Sequence, residues 1–469
     1  MIKYVKILAF RVGMPSPAYG KIEERVSGLG MADAPGPGEG SSVRITMWQA
    51  AYIGLGNIIG AGIFVLAGSV ITLAGPGAIL AFVLTAVLAT TVALNSAELS
   101  SKVITHGGLY SFIRTSMGEA PGFQVGWLRV LSYAIGAAAV ALGFASYLAS
   151  LLALPSPEVA IPLLAGAVIV LVSTIDYVGI RMVARVEKYL VLITIAGLGL
   201  FILTALLYGS WVPTRFTPVI PFGPVSIIGA ASLAFFAYSG FNTVATLTPE
   251  VEEGGKNVPR AILISLAVST ILYFLVVAGM LALMPWYSYT VTANPLENAL
   301  SYSSAPPFIG AAVSVVALIA TFSVTMSLIV AGSRTALQMS EDGVFPRWIG
   351  GLSGDTPRYA VLFVGAGTIA SLLLGDLKFI ALVSNFGVIF SYAMTGVAVM
   401  ILRHRGVPGA FRAPFYPWGQ ILSILLSIVV MISLGGEALY LGSIFLLLGF
   451  VLYGISRRRV IQIPVLLHR

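Results

Sequence analysis

Apolar stretches recur along the chain, separated by short polar intervals, and each is long enough to cross a hydrocarbon core, which takes about 17–25 residues of helix. Twelve are read, at 47–73, 76–97, 122–152, 159–177, 186–208, 225–248, 260–284, 308–338, 359–375, 379–402, 417–434 and 437–456. The pattern predicts an all-α integral membrane protein with twelve transmembrane helices. Two spans break their own regularity. In the first, Gly54-Leu55-Gly56-Asn57-Ile58-Ile59-Gly60-Ala61-Gly62-Ile63-Phe64-Val65-Leu66 crowds four glycines and an asparagine into the centre. Each glycine costs a helix interior about 1 kcal/mol relative to alanine. In the sixth, the run is Phe235-Phe236-Ala237-Tyr238-Ser239-Gly240-Phe241-Asn242-Thr243. Irregular backbone at membrane depth is tolerated only where it is buried in protein or lines a cavity, and matching interruptions in two halves of a chain mark a transporter's binding site. The competing reading is close helix packing through small residues. Five spans separate the two interruptions, an odd number, so two five-helix repeats would be inverted relative to each other.

Composition confirms the class and narrows the chemistry. Hydrophobic residues make up 58% and charged residues 9%, and the mean hydropathy is +0.97, against roughly 25% charged for a soluble domain. There is no cysteine, which removes disulfides, thiolate metal sites and cysteine nucleophiles. The three histidines, His106, His404 and His468, fall in loops or the tail. No His-Glu-x-x-His and no intramembrane aspartate pair is present, so an enzyme is not expected. The glycine-rich run lies in a membrane span with no preceding strand, which argues against a dinucleotide fingerprint. A channel would need a polar pore or a repeated carbonyl filter, and neither is evident.

The net charge of +8 points to the bilayer and not to nucleic acid. With the N-terminus in the cytoplasm, all of the 26 Lys and Arg except Arg215 and Lys378 fall on or next to the cytoplasmic side. This positive-inside distribution places both termini in the cytoplasm of a multi-pass plasma-membrane protein. Arg457-Arg458-Arg459 suits a membrane-surface anchor or an ordinary solvated tail. Residues 1–44 contain Ala34-Pro35-Gly36-Pro37-Gly38-Glu39-Gly40 and read as a flexible cytoplasmic leader, with Met31 or Met47 as alternative starts. The remaining organisation is a first repeat at 45–208, a second at 224–405, two additional helices at 406–457 after the prolines Pro408, Pro414 and Pro417, and a tail at 458–469.

The motif Gly56-Asn57-Ile58-Ile59-Gly60-Ala61-Gly62-Ile63-Phe64 resembles the first-helix signature of the amino acid–polyamine–organocation permeases. Ala97-Glu98-Leu99-Ser100, Gly107-Gly108-Leu109-Tyr110 and the stretch from Gly118 to Trp127 resemble the same family. So do Pro249-Glu250-Val251 with Asn257-Val258-Pro259-Arg260-Ala261-Ile262, and Ser333-Arg334 with Glu341-Asp342-Gly343. The resemblance covers about residues 45–405, in order and spacing. It implies a LeuT-like fold of two inverted five-helix repeats around two broken helices, a secondary active transporter working by alternating access, and an aromatic at Phe236 covering the substrate.

The chemistry of such a site can be argued from the backbone. A half-helix N-terminus carries unpaired N–H groups and about half a positive charge, and so suits a carboxylate. Gly60, Ala61, Gly62 and Ile63 are the candidates, with glycine letting the ligand approach. The carbonyls of Ile58, Phe236, Ala237, Tyr238 and Ser239 would meet an ammonium. An α-amino acid bridges both. Tyr133, Gly240, Asn242, Ser384 and Asn385 are side-chain pocket candidates. No Lys, Arg, Asp or Glu is placed clearly at mid-depth of the ten-helix core, where a charge would be costly and functional, and Asn242 lies where many relatives place an acid. Neutral amino acids are therefore the expected substrates, with a polyamine or amine exchanger of the same fold as the alternative.

Proton-coupled relatives carry a lysine in the fifth span, and alignment through Arg185-Val186 puts Thr194 there. Ser323 and Ser327, on one face at i, i+4, with Gly56 and Ile59 carbonyls, offer oxygen ligands to Na+; Thr321 and Thr325 stand on the same span, and back-bonding to the helix is the ordinary role of such hydroxyls. Sodium, protons and uncoupled exchange all remain open. No resident cofactor is expected. The partners are the bilayer and a small amino acid, with the protein a monomer or homodimer.

Overall fold

A computed structural model describes residues 45–461 apart from 61, 106, 179–182 and 352–355, with backbone alone at 183–188 and 456–461. The leader expected at 1–44, the Ala61 amide and the last residues of the tail lie outside the described residues. Among the described residues the fold is helical, with one isolated bridge between Ile45 and Val251 and no sheet.

α1 (Met47–Ile58) starts at Thr46, whose side chain accepts from the Gln49 N–H while Gln49 reaches back to the Thr46 N–H, a reciprocal cap. It ends at Ile59 and Gly60. The chain resumes as a π-helical turn (Gly62–Leu66) leading into α2 (Ala67–Ala74). α3 (Ala78–Lys102), the short α4 (Gly108–Met117), α5 (Glu119–Leu151), α6 (Pro157–Val178) and α7 (Val183–Tyr208) follow. α8 (Pro224–Tyr238) then breaks into a 3₁₀ segment, Phe241–Leu247. α9 (Gly254–Leu283), a short α10 (Pro295–Tyr302), α11 (Pro307–Glu341), α12 (Arg358–Ser371), α13 (Leu377–His404), α14 (Trp418–Ile432) and α15 (Gly436–Ile461) complete the chain. Proline at the first turn of α8, α10 and α11 loses no helical hydrogen bond there.

Nine helical stretches among the described residues are long and apolar enough to cross a membrane. One is Met47–Lys102, 56 residues long, which contains the first break; Arg358–Leu374 and Trp418–Ile432 are shorter apolar helices.

The core forms where α5 packs on α11 and α13, and α9 packs on α1 and α3. Small residues allow the approach: a Cβ on Gly143 of α5 would meet Val65 at 2.3 Å, and one on Gly387 of α13 would meet the Leu128 carbonyl of α5 at 2.7 Å. The outer faces are apolar, with Leu163 on α6 69% and Leu447 on α15 63% exposed, as lipid-facing surfaces require.

One end of the bundle is tied by charge. Glu98, buried at the end of α3, receives Arg403 Nε at 2.8 Å, Arg403 Nη2, Lys102 Nζ at 2.9 Å and the Ala413 N–H at 2.8 Å. A second tie joins α4 to the end of α11: Asp342 after α11 accepts from the Tyr110 hydroxyl at 2.7 Å and pairs with Arg114. Burial first, then the Asp342 carboxylate, hold the Tyr110 hydroxyl far above the usual phenol range.

Candidate functional site

The two breaks touch. A Cβ on Gly62 would lie 2.0 Å from the Ala237 Cα, and a Cβ on Gly240 would lie 2.0 Å from the Asn57 carbonyl oxygen. Each break thus gives a glycine to the other's backbone. The space beside Gly62 is filled by Ala237, so this glycine serves chain-to-chain approach. Asn57 Nδ2 also donates to Thr243 Oγ1 at 2.8 Å, fastening the end of α1 to the 3₁₀ segment.

Broken helices leave carbonyls that must be paired in an apolar surround. Three buried tyrosines on unbroken helices pair them. Tyr147 of α5 donates to the Phe64 carbonyl at 2.6 Å. Tyr392 of α13 donates to the Ser239 carbonyl at 2.7 Å. Tyr273 of α9 lies 2.6 Å from the Ile58 carbonyl and 3.0 Å from that of Ala237, so a single hydroxyl bridges the ends of both half-helices. In the 3₁₀ segment and on either side of it, the hydroxyls of Ser239, Thr243, Thr246 and Thr248 each bond the carbonyl three residues back, at 2.7–2.9 Å.

Between the breaks lies a tight cavity, about 20 Å³ to the centres of water-sized spheres, which is space for one or two waters. Of the residues singled out in the sequence, Ile58, Gly62, Tyr133, Phe236, Ser239, Gly240, Ser327 and Ser384 line it. Asn57, Arg129, Ser132 and Thr243 join them. Gly60 packs instead on Val324 of α11. Ile63 and Ala237 are buried in the core, and Tyr238 stacks edge-on against Tyr273 with ring centroids 5.1 Å apart. Asn242 and Asn385 are buried outside the cavity wall, the latter donating to the Ser232 carbonyl at 2.7 Å.

Among the coupling candidates, Thr194 on α7 bonds back to its own helix, as do Thr321 and Thr325 on α11. Gly56 lies inside α1, and the Ile59 N–H bonds the Leu55 carbonyl at 2.7 Å. Ser323 is buried, and Ser327 lies on the cavity wall.

The expectation of no charge at mid-depth does not hold. Arg129, 3% exposed on α5, is in the cavity wall; Asp176, also buried, stands two residues from the end of α6, beside Ser333 and 4.0 Å from Arg334, and so lies near the end of its span. Arg129 sits close enough to the start of its span to be counted with the loop charges from sequence alone. The bridging tyrosines were also missed. Their signal was a hydroxyl in the middle of an apolar span, which usually finds a partner when buried.

On one side the cavity meets a vestibule of about 520 Å³ that shares Asn57, Tyr133, Thr243 and Ser327 with it and reaches Glu250, Arg334, Gln338 and Glu341.

A multi-pass helical bundle with a small cavity between two broken helices, adjoining a larger vestibule, has the architecture of a membrane transporter. The chain belongs to the amino acid permease family, whose pattern it matches over residues 45–453. Among its relatives is the branched-chain amino acid permease BcaP of Bacillus subtilis (strain 168), 31% identical over 88% of this chain and 92% of that protein. The methylthioribose transporter of the same organism is 32% identical over 88% and 93%. The branched-chain amino acid permease BcaP of Lactococcus lactis subsp. cremoris (strain MG1363) is 28% identical over 86% and 91%.

Proposed function

We propose that this permease carries α-amino acids, of the neutral class, across the cell membrane by alternating access. The observation that carries the reading is the cavity walled by both breaks and adjoining the vestibule. The carboxylate would meet the N–H groups at the start of the Gly62–Leu66 turn, where the helix dipole favours an anion. The ammonium would meet the remaining lone pairs of the Ile58, Phe236 and Ser239 carbonyls, with Phe236 as cover. The polypeptide would cross twelve times, the Met47–Lys102 stretch counting twice and the two shorter helices once each. Residues 45–208 and 224–405 would form the inverted repeats, 406–457 the appended helices. Both termini would then be cytoplasmic, and the vestibule would face the cytoplasm.

A fixed cation in the wall counts against a polyamine or a basic amino acid. The methylthioribose transporter is as similar as the first BcaP protein, so a neutral thio-sugar is the second reading. Uptake of labelled amino acids into proteoliposomes tests the proposal, with sodium and proton gradients imposed separately and methylthioribose and putrescine as competitors. Saturable amino acid uptake supports it. Saturable methylthioribose uptake with no amino acid moved would replace it with the second reading. Sodium-driven uptake, proton-driven uptake, or stimulation by internal amino acid alone would decide the coupling.

A further inference from the structure

Arg129 stands ten residues into α5, about 15 Å along the helix. Its Nη2 donates to the Tyr133 hydroxyl one turn on. The guanidinium carbon lies 4.3 Å from the Tyr133 ring centroid and 5.8 Å from that of Tyr392. Nη1 is buried with no hydrogen-bond partner. Among the described residues no ion pair to this guanidinium is present, and its close neighbours are the two tyrosines. A guanidinium keeps its proton, and a buried charge of this kind needs an opposite charge or strong acceptors. The aromatic faces offset part of that need and hold the fork in one orientation. Arg129 lies in the wall of the cavity with this N–H unpartnered.

We propose that Arg129 is the side-chain subsite of this cavity and takes an oxygen acceptor, a carboxylate or carboxamide oxygen, at the end of the substrate's side chain. The inference rests on the amino acid reading above, in which the break at Gly62 takes the α-carboxylate and leaves Arg129 for the side chain. A carboxamide keeps the substrate in the neutral class. A carboxylate brings the missing counter-charge and extends the substrates to acidic ones. Branched aliphatic side chains offer the guanidinium nothing, and a site with a buried donor discriminates against ligands that leave it unpaired.

The test is uptake of labelled L-glutamine, L-glutamate and L-leucine into proteoliposomes by the unmodified protein, Arg129→Gln and Arg129→Lys. The expected result is a kcat/KM for glutamine or glutamate at least about tenfold above that for leucine. Which of the two leads separates carboxamide from carboxylate. Arg129→Gln should collapse the ratio to near one, and Arg129→Lys should retain part of it if the ligand is glutamate. Leucine preferred by the unmodified protein overturns the subsite, whether or not either variant folds. So does an unchanged ratio in Arg129→Gln, which would mean that the guanidinium merely fills an aromatic slot. Transport of leucine alone leaves the amino acid reading standing, whereas transport of none of the twenty amino acids removes both.

Discussion

At the scale of single residues, the breaks are held by contacts that leave little slack. Gly62→Ala puts a Cβ into the Ala237 backbone, which cannot swing aside as a long side chain would. Overpacking of this kind costs about 1–3 kcal/mol, so thermal unfolding in detergent should shift down together with uptake; a variant with normal stability and lost uptake would instead restore the ligand-approach role for this glycine. Tyr273→Phe leaves the Ile58 and Ala237 carbonyls without their shared donor, at a cost of about 1–3 kcal/mol. Tyr287→Phe, 73% exposed at the wild-type side chain, should change stability by less than about 0.5 kcal/mol. Equal melting temperatures for the two would show that Tyr273 does not carry the break. The glycines were legible in the sequence because their cost is local. Their partners were not, because Ala237 and Asn57 lie some 180 residues apart in sequence and only the fold brings them together. Arg129 was hidden for a different reason: its depth depends on where α5 begins.

At the scale of elements, the apolar pattern predicted the apolar helices to within about six residues at their ends, since their length and hydropathy suit the bilayer. Both runs, 54–66 and 235–243, do contain an interruption, at Ile59–Gly60 and Ser239–Gly240. Their form was not legible, because a π-helical turn and a 3₁₀ segment differ from α-helix by hydrogen-bond register alone. The 3₁₀ form is supported by four hydroxyls spaced to bond three residues back. How elements are joined is the other matter that sequence leaves open. Glu98 gathers Arg403, Lys102 and the Ala413 N–H, and so ties α3 to α13 and to the loop before α14. Glu98→Gln leaves Arg403 and Lys102 without their acceptor charge. Breaking a buried pair on one side costs about 3–5 kcal/mol, to be read as a large loss of melting temperature and of folded yield. Stability within about 0.5 kcal/mol of the unmodified protein would show the cluster to be solvated in the membrane-bound protein.

At the scale of the whole molecule, one asymmetry governs function. The cavity continues into a vestibule at the end that holds Glu250, Arg334 and Glu341, while a separate pocket at Asp376, Lys378 and Glu437 shares none of its wall. In the orientation proposed from the positive-inside distribution, the vestibule faces the cytoplasm. A protein without cysteine lets this be tested cleanly, since any engineered thiol is the sole target. Thr335→Cys, on α11 in the vestibule wall, should react with a membrane-impermeant thiol reagent only from the cytoplasmic face. Lys378→Cys should react only from the opposite face. A substrate that closes the cavity should slow the Thr335→Cys reaction several-fold, because occupancy shifts the population toward states whose vestibule is narrowed. Labelling of both positions from the same face would overturn the orientation. Equal labelling of Thr335→Cys from both faces would mean a continuous pore, and with it the end of alternating access for this protein.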